Sequence, residues 1–322
     1  MEEKLVKIIN EMADYLNIAQ MKKLQEVLIK NLSDARPEKE QISNQEYLKM
    51  FIEAKQIEGC SARTLQYYQV TIEHLLKNID TVIRKITTDE IRTYLAEYQQ
   101  RNNCSKVTVD NVRRNISSFF SWLEEEDYIL KSPMRRIHKI KTKQPVKEII
   151  SDEMIERLRD NCRCSRDLAM IDLLYSTGIR VGELVGLNIS DIDFEERECV
   201  VYGKGDKERR VYFDVKAKLH LQNYINSRTD TNPALFVTLD SPYERLKISG
   251  VEIRVRELGR KLNIEKIHPH KFRRTMATRA IDKGMPIEQV QKILGHSQIG
   301  TTMQYAIVNQ NNVKTSHRRY IA

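Results

Sequence analysis

Apolar residues recur at intervals of three and four over long stretches of this chain, the spacing that lines one face of an α-helix, and two short segments past its middle follow a different rule. In residues 1–32 the series Leu5, Ile8, Ile9, Met12, Leu16, Met21, Leu24, Val27, Leu28 and Leu32 predicts an amphipathic helical arm, and a charged segment with Pro37 reads as a linker ending near residue 41. Four helices are predicted between residues 42 and 130: around Tyr47, Leu48, Phe51 and Ile52; through Leu65, Tyr68, Ile72, Leu75 and Leu76; around Ile91, Tyr94 and Leu95; and through Val112, Ile116, Phe119, Phe120 and Leu123. Ser61 and Ser105 precede helix starts, and Thr88 stands as a cap before Asp89, Glu90 and Ile91. Trp122 falls in the apolar series and reads as core. Residues 131–150 read as an extended linker, and residues 151–322 as a second domain, mostly helical.

In that last domain Leu168, Ile171, Leu174 and Tyr175 share a helix face that Gly178 ends, and Arg180 follows at the next helix start, one turn before Glu183. Cys199 to Tyr202 and Arg210 to Phe213 predict two strands joined by Gly203-Lys204-Gly205-Asp206-Lys207, with Lys204 riding on that turn. Pro269 opens a helix that puts His270 and Arg273 on one face, where free backbone N–H groups attract an anion. Pro286 opens another through Ile287, Val290, Ile293 and Leu294, stopped by Gly295, so that His296 is presented at a helix end. A third short helix is predicted to start near Thr301 and Thr302, with Tyr305 on its second turn. The class is mainly α with a small antiparallel sheet.

Charge narrows the partners. The 322 residues carry a net charge of +9, which favours a polyanion. The arm contributes little, its acids balancing its lysines, and reads as a protein contact. Residues 128–150 are the opposite: Lys131, Arg135, Arg136, Lys139, Lys141, Lys143 and Lys147 face the single acid Glu148, a composition suited to phosphate. The five cysteines are odd in number and scattered, so no disulfide framework is expected, and Cys162-x-Cys164 lacks a second ligand pair for a metal. His268 and His270 have no carboxylate or thiolate cluster with them, which makes metal catalysis an unfavoured reading. No apolar run approaches membrane length and the amino terminus has no signal-peptide form, so the expectation is a soluble, cytoplasmic protein.

Together, Thr177-Gly178-x-Arg180-x-x-Glu183-Leu184, Gly203-Lys204-Gly205-x-Lys207-x-Arg209, His270-x-x-Arg273, Leu294-Gly295-His296 and a tyrosine nine positions after that histidine resemble the tyrosine recombinases, or phage integrase family. Arg274 departs from the commonest family pattern, in which histidine follows the second arginine. The resemblance implies a tyrosine recombinase fold, with a helical, SAM-like DNA clamp followed by a catalytic domain.

It also implies a site-specific recombinase acting as a homotetramer on two paired sites in double-stranded DNA, for integration, excision, inversion or resolution. The phenol of Tyr305 would attack a phosphodiester to give a 3′-phosphotyrosyl link and a free 5′-hydroxyl, without ATP, metal or other cofactor. Strand exchange would then pass through a four-way junction. Arg180 and Arg273 would hold the phosphate, His270 would assist deprotonation, Lys204 (with Lys207 as rival) would protonate the leaving oxygen, His296 would bond the phosphate and Glu183 would orient its neighbours. Arg63, Lys106, Arg113 and Arg114 in the clamp and Arg135, Arg136, Lys139 and Lys141 in the linker are the candidates for DNA contact. The tail from Ala306 to Ala322 would pack on a neighbouring protomer, and an accessory DNA-bending or directionality protein is left open. Two other readings share these residues: a type IB-like topoisomerase, and a DNA-binding regulator that keeps the fold without the chemistry.

Overall fold

The computed structural model describes residues 8–12, 15–32, 42–142, 148–203, 208–264 and 266–306. Lys204, Lys207, Lys143, Lys147 and the tail past Ala306 lie outside the described residues. The chain forms two units, Met1–Gln144 and Pro145–Ala322.

In the first unit the predicted arm is not one helix. Residues 8–12 are helical, a turn follows at Tyr15 and Leu16, and α1 runs from Ile18 to Leu32. The restart has a local cause: the Asn17 side chain accepts from the Gln20 backbone N–H at 2.9 Å while the Gln20 side chain accepts from the Asn17 N–H at 3.1 Å, a reciprocal cap that competes with helix continuation. The four predicted helices are present as α2 (Asn44–Ile57), α3 (Ala62–Asn78), α4 (Thr88–Arg101) and α5 (Lys106–Glu125). Ser43, Ser61 and Ser105 cap three of them, and the cap of α4 is Thr87, one residue before the threonine expected, paired with Glu90 in a capping box. Their apolar faces meet around Phe51, Ile72, Leu75, Ile91, Ile116, Phe119, Phe120 and Leu123, none of them measurably exposed, and each such side chain contributes roughly 1.5–3 kcal/mol by leaving water. Trp122 joins this core with its indole N–H unpaired among the described residues.

The basic stretch expected as an extended linker is tied down in its first half. A short 3-10 turn at Pro133–Arg136 buries Met134, and the Ile140 N–H donates to Asp110 on α5 at 3.0 Å.

The second unit begins with α6 (Asp152–Asp160) and α7 (Ser165–Thr177), followed by α8 (Val181–Gly186). α7 is its centre: Ala169, Met170, Ile171, Leu173 and Leu174 are all fully buried, because neighbours cover it on several sides. Strands β1 (Ile192–Asp193), β2 (Glu198–Tyr202) and β3 (Glu208–Tyr212) make an antiparallel sheet in chain order. β1 was not anticipated; at two residues it is too short to carry an alternating pattern. Opposite Cys199 stands Val211 and opposite Val201 stands Arg209, so Arg209 and Val211, two apart, share the face turned to the core. Five helices complete the unit: α9 (Val215–Asn226), α10 (Ile248–Lys261), α11 (Pro269–Asp282), α12 (Ile287–Leu294) and α13 (Ile299–Met303). Among the described residues no helix is long and apolar enough to cross a membrane.

Candidate active site

Two glycines bring distant parts of the second unit together. Gly178 ends α7 at φ +64, the left-handed turn that favours glycine, and a Cβ there would displace only the flexible methyl end of Met276 on α11. Gly295 ends α12 at φ +62, and its Cβ position lies 2.9 Å from Cδ of Arg209. The C-terminal end of α12 is thereby left open to side chains from elsewhere.

Three arginines occupy that end. Arg209 Nε donates to the Ile293 carbonyl at 2.8 Å, Arg273 donates through Nη2 to the Leu294 carbonyl at 2.5 Å, and Arg180 donates through Nη2 to the Gly295 carbonyl at 3.4 Å. The last carbonyls of a helix have no partner within it and carry its negative dipole end, so each receives a cation. Arg273 also donates to the carbonyl of Gly178 at 2.8 Å, and it is 1% exposed. Burial and then the neighbouring Arg180 bring its guanidinium down to about 10, still charged at neutral pH. Arg180 is the accessible one, with 42% of its side chain open to solvent.

Glu183 is the counter-ion. Its carboxylate accepts from Arg209 twice, at 2.7 Å on each oxygen, from Arg180 Nη1 at 2.8 Å and from the Arg180 backbone N–H at 2.7 Å. Burial opposes its charge, but these donors, Arg209 first, hold the carboxyl below the ordinary carboxylate range. Among the described residues hydrogen-bonded at this helix end, three guanidiniums meet one carboxylate, a surplus of two positive charges, while Glu252, Glu208 and Glu288 stand in the lining of the adjoining cavities.

His296 follows Gly295 directly. A guanidinium only donates, so the 3.1 Å contact from Arg273 Nη2 makes His296 Nε2 the acceptor, which places the ring proton on Nδ1 and makes the buried Thr302 hydroxyl, at 2.9 Å, its acceptor. Burial and then Arg273 push this imidazole down to about 4. Its ring lies 6.0 Å from that of Tyr305 at an interplanar angle of 26°. Tyr305 is 3% exposed and packs with Ala277, Val290 and Leu294. It was expected on the second turn of a helix starting near Thr301. Instead α13 runs from Ile299 to Met303, with Thr302 inside it and bonded to His296, and Tyr305 follows with its N–H on the Thr302 carbonyl at 2.9 Å.

His270 is exposed on the first turn of α11, stacked beside His268, and with Arg180 and Arg273 it lines a cavity of about 320 Å³. A larger concavity of about 950 Å³ is bordered by Arg180, Arg209, His296 and Thr301, and also by Gly203 and Glu208, the described residues on either side of Lys204 in the sequence. Of the expected site residues, Arg180, Glu183, His270, Arg273, His296 and Tyr305 are gathered in this region, and Lys204 lies outside the described residues. Two contributors had no assigned role: Thr302, and Arg209, which already stood in the quoted Gly-Lys motif and shares a strand face with the apolar Val211.

The candidate DNA-contact residues differ among themselves. Arg63 and Lys106 are exposed in the first turns of α3 and α5. Arg113 and Arg114 both bind the buried carboxylate of Asp110, and only 12% of the Arg113 side chain is exposed against 58% for Arg114. Arg135 pairs with Glu124, while Arg136, Lys139 and Lys141 are exposed.

Comparison with known proteins gives the arrangement a context. Residues 147–312 match the model of the phage integrase family, and residues 47–130 match that of its N-terminal SAM-like domain. A tyrosine recombinase XerC of Leptospira interrogans is 31% identical over 88% of this chain and 95% of its own length, and one of Oceanobacillus iheyensis is 29% identical over 85% and 95%. Among solved structures, the Tn1549 transposon integrase in complex with a circular intermediate DNA superposes with a TM-score of 0.72, at 19% identity over 85% of this chain and 98% of that one. The XerH site-specific recombinase bound to its difH substrate gives 0.67, at 18% identity over 99% and 95%.

Proposed function

The chain belongs to the phage integrase family, the tyrosine recombinases, and from that premise we propose that it is a site-specific DNA recombinase whose nucleophile is Tyr305. The observation that carries this is the convergence of Arg180, Arg273, His296 and Tyr305 on one helix end with a surplus of positive charge.

A phosphodiester carries one negative charge, and its pentacoordinate transition state carries two. The surplus of the site matches the latter, which is the condition for stabilising the transition state more than the bound substrate. Arg180, open to solvent, binds a nonbridging oxygen through its fork. Arg273, whose backbone contacts fix its plane, presents the remainder of its fork from the other side of the shared cavity. Tyr305 Oη attacks phosphorus as His270 takes its proton, the P–O5′ bond breaks, and the 5′-oxygen leaves with a proton from Lys204. Neutral His296, its Nδ1 proton committed to Thr302 and its Nε2 accepting from Arg273, has no proton left for a phosphate oxygen, so it acts by orienting the Arg273 fork. Attack by another 5′-hydroxyl reverses the step and reseals DNA. No metal, ATP or organic cofactor enters this scheme.

Recombination requires two duplexes, so the working form is a homotetramer on paired sites, with Arg63, Lys106, Arg114, Arg136, Lys139 and Lys141 on phosphates and Arg113 and Arg135 held beside them by Asp110 and Glu124. The location consistent with this activity is the cytoplasm.

The test is covalent capture. A duplex selected by the full chain from a randomised library is rebuilt with a nick beside the scissile phosphate and incubated with the protein. A protein–DNA adduct on a denaturing gel that disappears in Tyr305→Phe is expected. No adduct on a tightly bound duplex would replace this reading with that of a regulator, and relaxation of supercoiled circles without exchange would replace it with a topoisomerase.

A further inference from the structure

Arg209 is the third guanidinium on the end of α12, and neither phosphate binding nor proton transfer uses it. It is a charged side chain on the sheet face turned to the core, 12% exposed, where a charge is tolerated only with partners. Each of its three nitrogens has one partner: Nη1 and Nη2 donate to the two oxygens of Glu183 and Nε to the Ile293 carbonyl. Through Glu183 it reaches Arg180, and through Ile293 it reaches the residue next to the carbonyl that holds Arg273.

A lone carboxylate between two arginines can rotate toward either. Fixed from behind on both oxygens, it can offer Arg180 one geometry only. We propose that Arg209 is a positioning residue for the recombinase reaction: by locking Glu183 bidentately and bracing the end of α12, it sets the plane in which the solvent-accessible Arg180 meets the scissile phosphate. It touches no substrate atom itself. Lysine cannot replace it, since an ammonium lacks the planar pair of donors that matches both carboxylate oxygens.

This inference rests on the recombinase reading, and its test separates the two. Single-turnover cleavage of the selected nicked duplex is measured at saturating protein, together with duplex affinity and thermal unfolding. If the wild type forms no adduct, the reading itself fails. With wild-type cleavage established, Arg209→Lys is expected to leave affinity within about twofold and to slow cleavage by about 100-fold, the size associated with misplacing a reacting group by about 1 Å. The loss must persist on a duplex with sulfur in place of the bridging 5′-oxygen, because that leaving group departs without a proton and relieves only defects in Lys204. Wild-type cleavage by Arg209→Lys, or recovery on the sulfur substrate, overturns the proposal.

A second variant covers misfolding. Replacing both partners, Arg209→Met with Glu183→Leu, removes the buried charges together and is expected to restore thermal stability toward wild type without restoring cleavage. Recovery of cleavage along with stability would reduce Arg209 to a structural role and overturn the proposal.

Discussion

Glu183→Gln isolates the electrostatics of the site. The substitution keeps shape but removes the carboxylate charge that is hydrogen-bonded to both Arg209 and Arg180, raising the surplus within this bonded group from two to three. Its amide also turns an N–H₂ group toward donors. The exposed Arg180 pair matters little to stability, since solvent screens it to about 0–1 kcal/mol. The Arg209 pair is different: Glu183 is 3% and Arg209 12% exposed, and stranding one member of a buried pair costs about 3–5 kcal/mol. For a unit of this size that corresponds to a fall in Tm of roughly 6–20 °C. The cost should shrink when an anion supplies the lost charge, so added inorganic phosphate or cognate duplex should raise the Tm of the variant more than that of the wild type. The difference should also narrow in acid. Glu183 has a folded pKa below its ordinary 4.5, so its contribution is present above that value and is lost as pH falls through the folded one. A variant within about 1 °C of wild type at neutral pH, less than any stranded buried charge would cause, or one stabilised no more by phosphate, would refute the argument.

Arg180→Lys should cut single-turnover cleavage by about 100- to 1,000-fold through loss of the bidentate fork while leaving Tm nearly unchanged, because the side chain is 42% exposed. Gly178→Ala should destabilise by about 1–3 kcal/mol in denaturant unfolding, from the positive φ, and Met276→Ala in the same chain should recover little of it, because the Met276 methyl that a Cβ would meet is the free end of a flexible side chain. His296 should titrate by NMR near 4 in the folded protein against 6.5 unfolded, so its neutral form adds stability fully present above pH 6.5 and lost as pH falls toward 4; in Arg180→Met the midpoint should move upward, since Arg180 is one of the charges that depress it.

How much of this was written in the sequence depends on the range of the interaction. Helices with a single buried face, such as α3 and α5, declare themselves through spacing, and Ser61 and Ser105 mark their starts because a cap is a contact three residues long. The one-residue displacement to Thr87 was not legible, since adjacent threonines offer the same hydroxyl. The identities of Arg180, Arg273, His296 and Tyr305 were legible as a pattern, but their joint attachment to α12 was not: the Arg180 contact spans 115 residues and the Arg209 contact 84. Thr302 was legible only as one of two threonines near a helix start, and only the fold turns its hydroxyl to His296. Arg209 was missed because the expected strand began at Arg210, one residue short of the register that puts Arg209 on the same face as Val211.

The register of Arg209 leads to the question of why three like charges should be stable side by side. At an effective dielectric of 20 two unit charges 4 Å apart repel by about 4 kcal/mol, so crowding three cations needs compensation beyond the single carboxylate. The end of α12 supplies it, as about half a negative charge spread over consecutive carbonyls, one for each guanidinium. That offset is partial by construction, because a helix end cannot neutralise the two charges Glu183 leaves over. Under the proposed reading the residual repulsion has a use: it is present in the free protein, is reduced when a phosphate monoanion enters, and is best balanced when the second negative charge develops on the transition state. A helix terminus suits this task better than further carboxylates would, since each added carboxylate would compete with phosphate for the forks of Arg180 and Arg273, whereas carbonyls anchor part of each fork and leave the remainder to substrate.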